Sequence, residues 1–386
     1  MHEIVILGAG YAGMATAVSL AGRTRRRGDV RITVVNASER FTERLRLHQT
    51  ATGQELADLR IPDLLSGTGV ELVTGWVTAI DTGAKRVRVD DEREIGYDTL
   101  VLALGSATDT GAVAGADEFA YTLDSRTTAE ALARRLAAPG TKAVAICGLG
   151  LTGVEAAAEI AERHPGLDVT LIGGGAPGAG LGPRARRHLD RVLDRRGVRV
   201  RGGVRILKVL PDSVEISGGE TVPADVVVWA GGVKAPALAT AAGLATDRHG
   251  RILTDGTLRS VSDPAVYAVG DAAAIEQGYG TIHGTCQSGI PTGVQAAWAI
   301  SRELDGRAPR PFRFGYLHTP VSLGRRDAVV QFTRPDGSAT RFALTGRAAV
   351  WYKETVSASP WPTYRRLVRN PGPGRLGWRR GGTFTR

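Results

Sequence analysis

The sequence is short of the residues that redox and metal chemistry most often use. Among 386 residues only two are cysteine, Cys147 and Cys286, with no C-x-x-C or C-x4-C pair. That spacing excludes a disulfide framework, a dithiol redox centre and a zinc site, and each cysteine reads as a small buried apolar residue. The seven histidines are scattered without ligand spacing, so no metal is expected. No apolar run approaches the roughly 18–20 residues of a membrane span, and the chain starts directly on a strand with no basic leader. A cytoplasmic protein is expected, with a peripheral position at the inner face of the membrane as the variant.

Charge of one sign is also scarce in the body of the chain. The formal charge is +10, and arginines 365, 366, 369, 375, 379, 380 and 386 supply seven of those charges with no acid after Glu354. A nucleic-acid groove is therefore not expected. The tail reads as a solvated terminus, or as a weak contact for an anionic membrane or a partner, with Trp361, Tyr364 and Trp378 suited to an interface. Gly and Pro, 51 and 18 residues, stay below the roughly 25–30% of low-complexity chains. At roughly 100–200 residues per domain the length predicts two or three domains.

Two segments of one design organise the chain. Residues 3–7 form an apolar strand, Gly8-Ala9-Gly10-Tyr11-Ala12-Gly13 a turn, Met14 to Ala21 a helix, and Arg31 to Val35 a second strand. The pattern returns as a strand over 142–147, Gly148-Leu149-Gly150-Leu151-Thr152-Gly153, a helix over 154–162 and a strand over 168–172. Three more buried strands end on glycine: 97–105, ending Ala103-Leu104-Gly105, 225–230 before Gly231-Gly232, and 265–269 before Gly270-Asp271. Residues 106–140 read as a connection, Pro183 to Arg196 and Pro291 to Leu304 as helices, and 312–344 as β with a turn at Arg334-Pro335-Asp336-Gly337. Arg347 to Val356 reads as one helix, broken over 357–361, and the remainder carries no periodicity.

A lone G-x-G-x-x-G is weak evidence, but both copies here sit between a buried strand and a helix, the context of a dinucleotide site. The first glycine permits the turn, the second lets pyrophosphate approach, and the third allows helix and strand to pack closely, while the helix N-terminus offers free N–H groups. An acid normally follows the next strand to accept from the ribose. Here the first copy has Asn36, which still accepts, and the second has Gly173. With no carboxylate to repel a 2′-phosphate, and Arg184, Arg186 or Arg187 within reach, NADPH is as open as NADH; a degenerate second site is the other reading.

Two such units plus Gly270-Asp271 resemble the two-dinucleotide-binding-domain flavoproteins, specifically the type II NADH dehydrogenases (NADH:quinone oxidoreductases). The resemblance implies an α/β fold with two Rossmann-like domains and a small β-rich C-terminal region. The expected boundaries are 1–110 with 234–305 for FAD, 111–233 for NAD(P), 306–356 for the C-terminal region and 357–386 for the basic tail. It also implies FAD on Gly8, Gly10, Tyr11, Ala12 and Gly13, with Asn36, the Val77 backbone, Ala103, Gly105, Gly270 and Asp271 around it. NADH or NADPH would lie on Gly148, Gly150, Gly153, Gly231 and Gly232.

Glu155 matches a family glutamate near nicotinamide and flavin; by residue chemistry alone it is equally an acid favoured by a helix N-terminus. Lys353 resembles a family lysine beside the flavin and otherwise reads as a solvated helix lysine. His48 falls near the isoalloxazine, as a proton donor or a packing histidine. The family's Ala-Gln-x-Ala-x-Gln-Gln element reads Cys286-Gln287-Ser288-Gly289-Ile290-Pro291-Thr292, so only Gln287 remains as a substrate contact and a long-chain quinone site is put in doubt. The implied activity is transfer of a hydride from NAD(P)H through FAD to a quinone or other small acceptor. Rival expectations are a flavoenzyme acting on a bound organic substrate with a degenerate NAD(P) site, and an apoptosis-inducing-factor-like nucleotide-responsive binding protein. A homodimer is also expected.

Overall fold

The computed structural model describes residues 1–371. The two glycine units each build a five-stranded parallel sheet. In the first, the strand order is Val266–Ala268, Thr99–Leu102, His2–Leu7, Val30–Asn36, Val70–Thr74. In the second it is Arg199–Arg201, Asp168–Ile172, Ala143–Cys147, Val226–Trp229, Ala120–Tyr121. Central strands such as Ile4 to Leu7 and Val144 to Cys147 are buried on both faces, which is why they read as unbroken apolar runs. The chain enters the second sheet and returns to complete the first with Val266–Ala268, and the short strands Ala107–Thr108 and Val233–Lys234 pair antiparallel where it crosses.

The helix after the first turn, Tyr11–Thr24, is buried nearly all round. One side lies on its sheet. Another meets the long helix Cys286–Leu304 so closely that a Cβ on Gly293 would stand 2.2 Å from the Ala12 carbonyl oxygen. A third meets the last helix, Pro360–Arg369, where a Cβ on Gly22 would stand 2.8 Å from the Val368 oxygen.

Several expectations about elements are corrected. The long helix starts at Cys286, not Pro291, because Thr285 and Ser288 cap each other's backbone and Pro291 is absorbed one turn in. The supposed connection over 106–140 contains the helix Arg126–Leu136, opened by a Ser125–Thr128 capping box. The chain after Ser357 is not featureless: the penultimate helix, Arg347–Ala358, leads directly into Pro360–Arg369. Pro360 occupies the first helical position, where its missing N–H costs nothing, and Pro360, Tyr364 and Leu367 form the buried stripe. Trp378 and the last four arginines lie outside the described residues. The β region is a three-stranded antiparallel sheet, His318–Ser322, Ala328–Thr333 and Ala339–Thr345, with the turn at 334–337 as expected.

Candidate functional site

Both glycine turns have the shape a dinucleotide requires. A Cβ on Gly13 would lie 1.8 Å from the Gly8 oxygen, and one on Gly153 would lie 2.0 Å from the Gly148 oxygen. Only hydrogen fits there. Gly8 (φ +95°) and Gly148 (φ +135°) turn in the left-handed region against the next strand's end, at Ala103 and at Ala230-Gly231. Gly10 and Gly150, in contrast, face open space within 4 Å. No side-chain oxygen caps either following helix, so the N-termini keep N–H groups for phosphate.

Around the first turn, the Ala9 N–H donates to Asn36 Oδ1 at 2.8 Å, fixing the amide that replaces the usual acid. The Gly75 N–H donates to the Asn36 oxygen, so the Trp76-Val77 segment runs beside it. Ser106 Oγ donates to Asp271 Oδ2 at 2.9 Å, and Arg44 spans the Ser106 oxygen and Asp124. Tyr11 packs edge-on to Phe41 at 5.1 Å, and Tyr364 Oη donates to the Tyr11 oxygen. Thr292 is fully buried, accepting from the Gly270 N–H at 2.9 Å and donating to the Gly289 oxygen at 2.7 Å. It holds the Gly270-Asp271 turn. Gln287 is used at both ends of its amide, donating to the His318 oxygen and accepting from the Leu317 N–H, so it clamps the start of the C-terminal sheet.

At the second turn, the Val204 N–H donates to the Gly173 oxygen, and a Cβ on Gly173 would stand 3.0 Å from Leu149 Cγ. Trp229 Nε1 donates to the Asp109 oxygen beside Gly231-Gly232. Arg201 is committed to Glu220. Arg205, exposed and not singled out in the sequence, follows Val204 directly in the chain, and its backbone pairs with Ser217.

Three residues from separate segments meet on the helix that follows the second turn. Lys353 Nζ donates to Glu155 Oε1 at 2.7 Å, and His48 Nδ1 stands 3.9 Å from Glu155 Oε2. Glu155 also accepts from the Ser322 N–H at 2.8 Å, and Lys353 Nζ lies 3.4 Å from the Pro320 oxygen. His48 is 4% and Lys353 5% exposed. Burial works to raise the Glu155 carboxyl, but the charge and hydrogen bond of Lys353, with the Ser322 N–H, hold it below the usual carboxylate range. Burial pulls His48 down to about 4, leaving a neutral imidazole whose Nε2 has no partner among the described residues. The arrangement is an ionised acid, an oriented ammonium with a third N–H to spare, and a neutral histidine.

Both cysteines are free, and burial pushes Cys147 up to about 12 and Cys286 up to about 11, so neither supplies a thiolate near neutral pH. No cluster able to hold a metal occurs among the described residues.

The sequence profile described as pyridine nucleotide-disulphide oxidoreductase matches residues 2–299. An NADH dehydrogenase-like protein of Mycobacterium tuberculosis is 33% identical over 354 residues, covering 85% of this chain and 87% of the relative. A type II NADH:quinone oxidoreductase of Staphylococcus aureus is 27% identical over 390 residues, covering 92% and 94%. The sulfide:quinone oxidoreductase from Aquifex aeolicus superposes with a TM-score of 0.79 at 19% identity, over 97% of this chain and 92% of that one, a likeness of fold.

Proposed function

The chain belongs to the pyridine nucleotide-disulphide oxidoreductase family and is an oxidoreductase, and from that premise we propose that it carries FAD on the first glycine turn and NADH or NADPH on the second. The activity proposed is oxidation of NADH or NADPH with a quinone or another small acceptor, for which bound flavin would supply the hydride-accepting chemistry. The observation that carries this reading is the convergence of His48, Glu155 and Lys353 on the helix after the second turn. The chain supplies placement and charge.

Gly8, Gly10 and Gly13 and the following helix would take the FAD pyrophosphate, Asn36 its ribose and Asp271 its ribityl chain. Gly148, Gly150 and Gly153 would take the nicotinamide dinucleotide, with Arg205, next in the chain after the Val204 that pairs with Gly173, available to a 2′-phosphate. Lys353 would place a cation at the reacting end, held there by Glu155, and His48 would wall that end as a neutral donor or acceptor. A disulfide-exchange route has no support, because both cysteines are unpaired and protonated near neutral pH; Cys147 is buried as expected, whereas Cys286 is partly exposed.

The acceptor is best read as small. Gln287 is engaged with backbone and Thr292 with the Gly270 turn, which leaves the family's quinone-contacting pattern unfilled here. That same observation favours, as a second reading, a flavoenzyme acting on one bound organic substrate. No helix among the described residues is long and apolar enough to cross a membrane. Contact with a membrane surface is proposed through exposed Trp351, one helical turn from Arg347, and exposed Phe342 under Arg341, and through Arg365, Arg366 and Arg369 on the last helix.

The test is steady-state turnover of the flavin-loaded protein with each donor against a short-chain quinone and ferricyanide. Saturable donor oxidation with the quinone supports the proposal. Turnover with neither acceptor and either donor would leave the single-substrate reading.

A further inference from the structure

The helix after the second turn, Leu151–Arg163, presents three carboxylates at positions 155, 159 and 162, one face of a helix. Glu155 belongs to the cluster already described. Glu162 lies at the outer end, its side chain 20% exposed, paired with Arg196 and accepting from the Arg325 N–H. Glu159 lies between them and is 1% exposed. Its Oε1 accepts from Gln54 Nε2 at 2.5 Å, while its Oε2 has no partner among the described residues. A buried carboxyl with an idle oxygen is a poor packing element, since an amide or a leucine would occupy the volume at lower desolvation cost.

We propose that Glu159 is the proton reservoir of the site, a carboxylic acid one helical turn from Glu155 that resupplies the proton Lys353 gives to the reduced acceptor. This rests on the oxidoreductase reading above. Each turnover converts NAD(P)H, one proton and a quinone into NAD(P)+ and a hydroquinone. One hydrogen of the product arrives as hydride; the second proton must come from solvent.

Lys353 has two carbonyl or carboxylate acceptors and a third N–H free to face a bound molecule. When that N–H gives up its proton, the charge stabilising ionised Glu155 disappears. The Glu155 carboxylate then gains proton affinity, takes the proton of Glu159 and returns it to Lys353 across the 2.7 Å contact. Four residues of helix advance the backbone by about 6 Å from Glu155 to Glu159 and keep both on one face, the spacing over which the proton would pass. Glu159 is reprotonated from the Glu162 end.

The groups facing Glu159 set its proton affinity. Gln54 donates from the loop after the Leu47–Thr50 helix, Arg325 and Arg196 bring positive charge, and Glu162 on its own helix opposes them. Burial dominates and pushes its carboxyl up to about 7, so it holds and releases a proton near neutral pH.

The deciding variant is Glu159→Gln, which keeps the acceptor for Gln54 and the side-chain volume. Infrared titration of the oxidised, flavin-loaded wild type should show one protonated-carboxyl band lost near pH 7 and missing from the variant. Quinone reduction by the variant should fall about tenfold or more, lose the wild-type decline above pH 7, and recover with added formate or imidazole; Glu159→Asp should restore part of the rate. A variant that keeps the wild-type pH profile and rate, or a wild type without the band, overturns the reservoir while leaving the oxidoreductase intact. Failure of both nicotinamides to reduce the wild-type flavin removes the NAD(P)H-oxidising reading and the reservoir with it.

Discussion

Replacing Lys353 by Met tests the electrostatics of the cluster with a sign that packing alone does not produce. In the native protein Lys353 is the leading charge that holds Glu155 ionised against its own burial, with the Ser322 N–H assisting. The side chains of Glu155 and Lys353 are 12% and 6% exposed. Removing one partner of such a pair costs about 3–5 kcal/mol, because the other charge is left buried and unpaired. If the chain unfolds as one unit, roughly 2.1 cal/mol/K per residue gives ~0.8 kcal/mol/K, so Tm should drop by ~4–6 °C at pH 8. The native Glu155 carboxyl is depressed, so its stabilising contribution is present above the ordinary carboxylate range and is lost as pH falls through its folded value. In the variant the carboxyl rises instead, and protonation relieves the unpaired charge. The deficit relative to wild type should therefore shrink as pH falls from 8 towards 5. The double change Glu155→Gln with Lys353→Met should be less destabilised than Lys353→Met alone. Melting curves by circular dichroism across that range decide it. A deficit independent of pH, with strictly additive single changes, would refute the reasoning.

The two glycine roles separate experimentally. Gly10→Ala should fold within about 1 kcal/mol of wild type, because its Cβ meets nothing, yet lose retained FAD; Gly13→Ala should lose stability outright, because its Cβ would lie 1.8 Å from a carbonyl oxygen. Melting temperature and flavin absorbance after gel filtration read both. Gly173→Glu should lower the NADPH/NADH ratio of kcat/KM by charge repulsion, with Gly173→Ala as the control for the 3.0 Å approach to Leu149; equal ratios in all three would remove Gly173 from the ribose site. Thr292→Val should cost about 1–3 kcal/mol by leaving the Gly270 N–H unpaired and raise the FAD dissociation constant, measured by fluorescence, through the loosened Asp271 turn; unchanged affinity would detach Thr292 from the flavin site.

The parallel sheets and both glycine turns were legible because each rests on local chemistry: apolar strands buried on both faces, and glycines whose Cβ would meet backbone. The type II NADH dehydrogenase resemblance rested on the same residues and agrees with the comparisons. Meeting of His48, Glu155 and Lys353 was not legible from spacing, since nearly 200 residues separate Glu155 from Lys353 and only tertiary packing joins them. Gln287 matches the substrate motif in sequence, but its hydrogen bonds to Leu317 and His318 show only in three dimensions, as does the bond from the Gly270 N–H to Thr292, where the motif departs. The last helix is hidden in the sequence because 357–361 reads as a break and the Pro- and Gly-rich remainder shows no periodicity. The stripe Pro360, Tyr364, Leu367 was in the sequence, but its partner, Gly22 on the first loop helix, shows only in three dimensions. Glu159 carried no motif at all; burial with one idle oxygen singles it out.

The central claim is that both nucleotide turns act in one electron path, and the visible spectrum of the purified protein tests it most directly. Under anaerobic conditions, NADH or NADPH should bleach the oxidised flavin rapidly, and a soluble quinone should restore the colour. A yellow protein that neither donor bleaches would contradict the account.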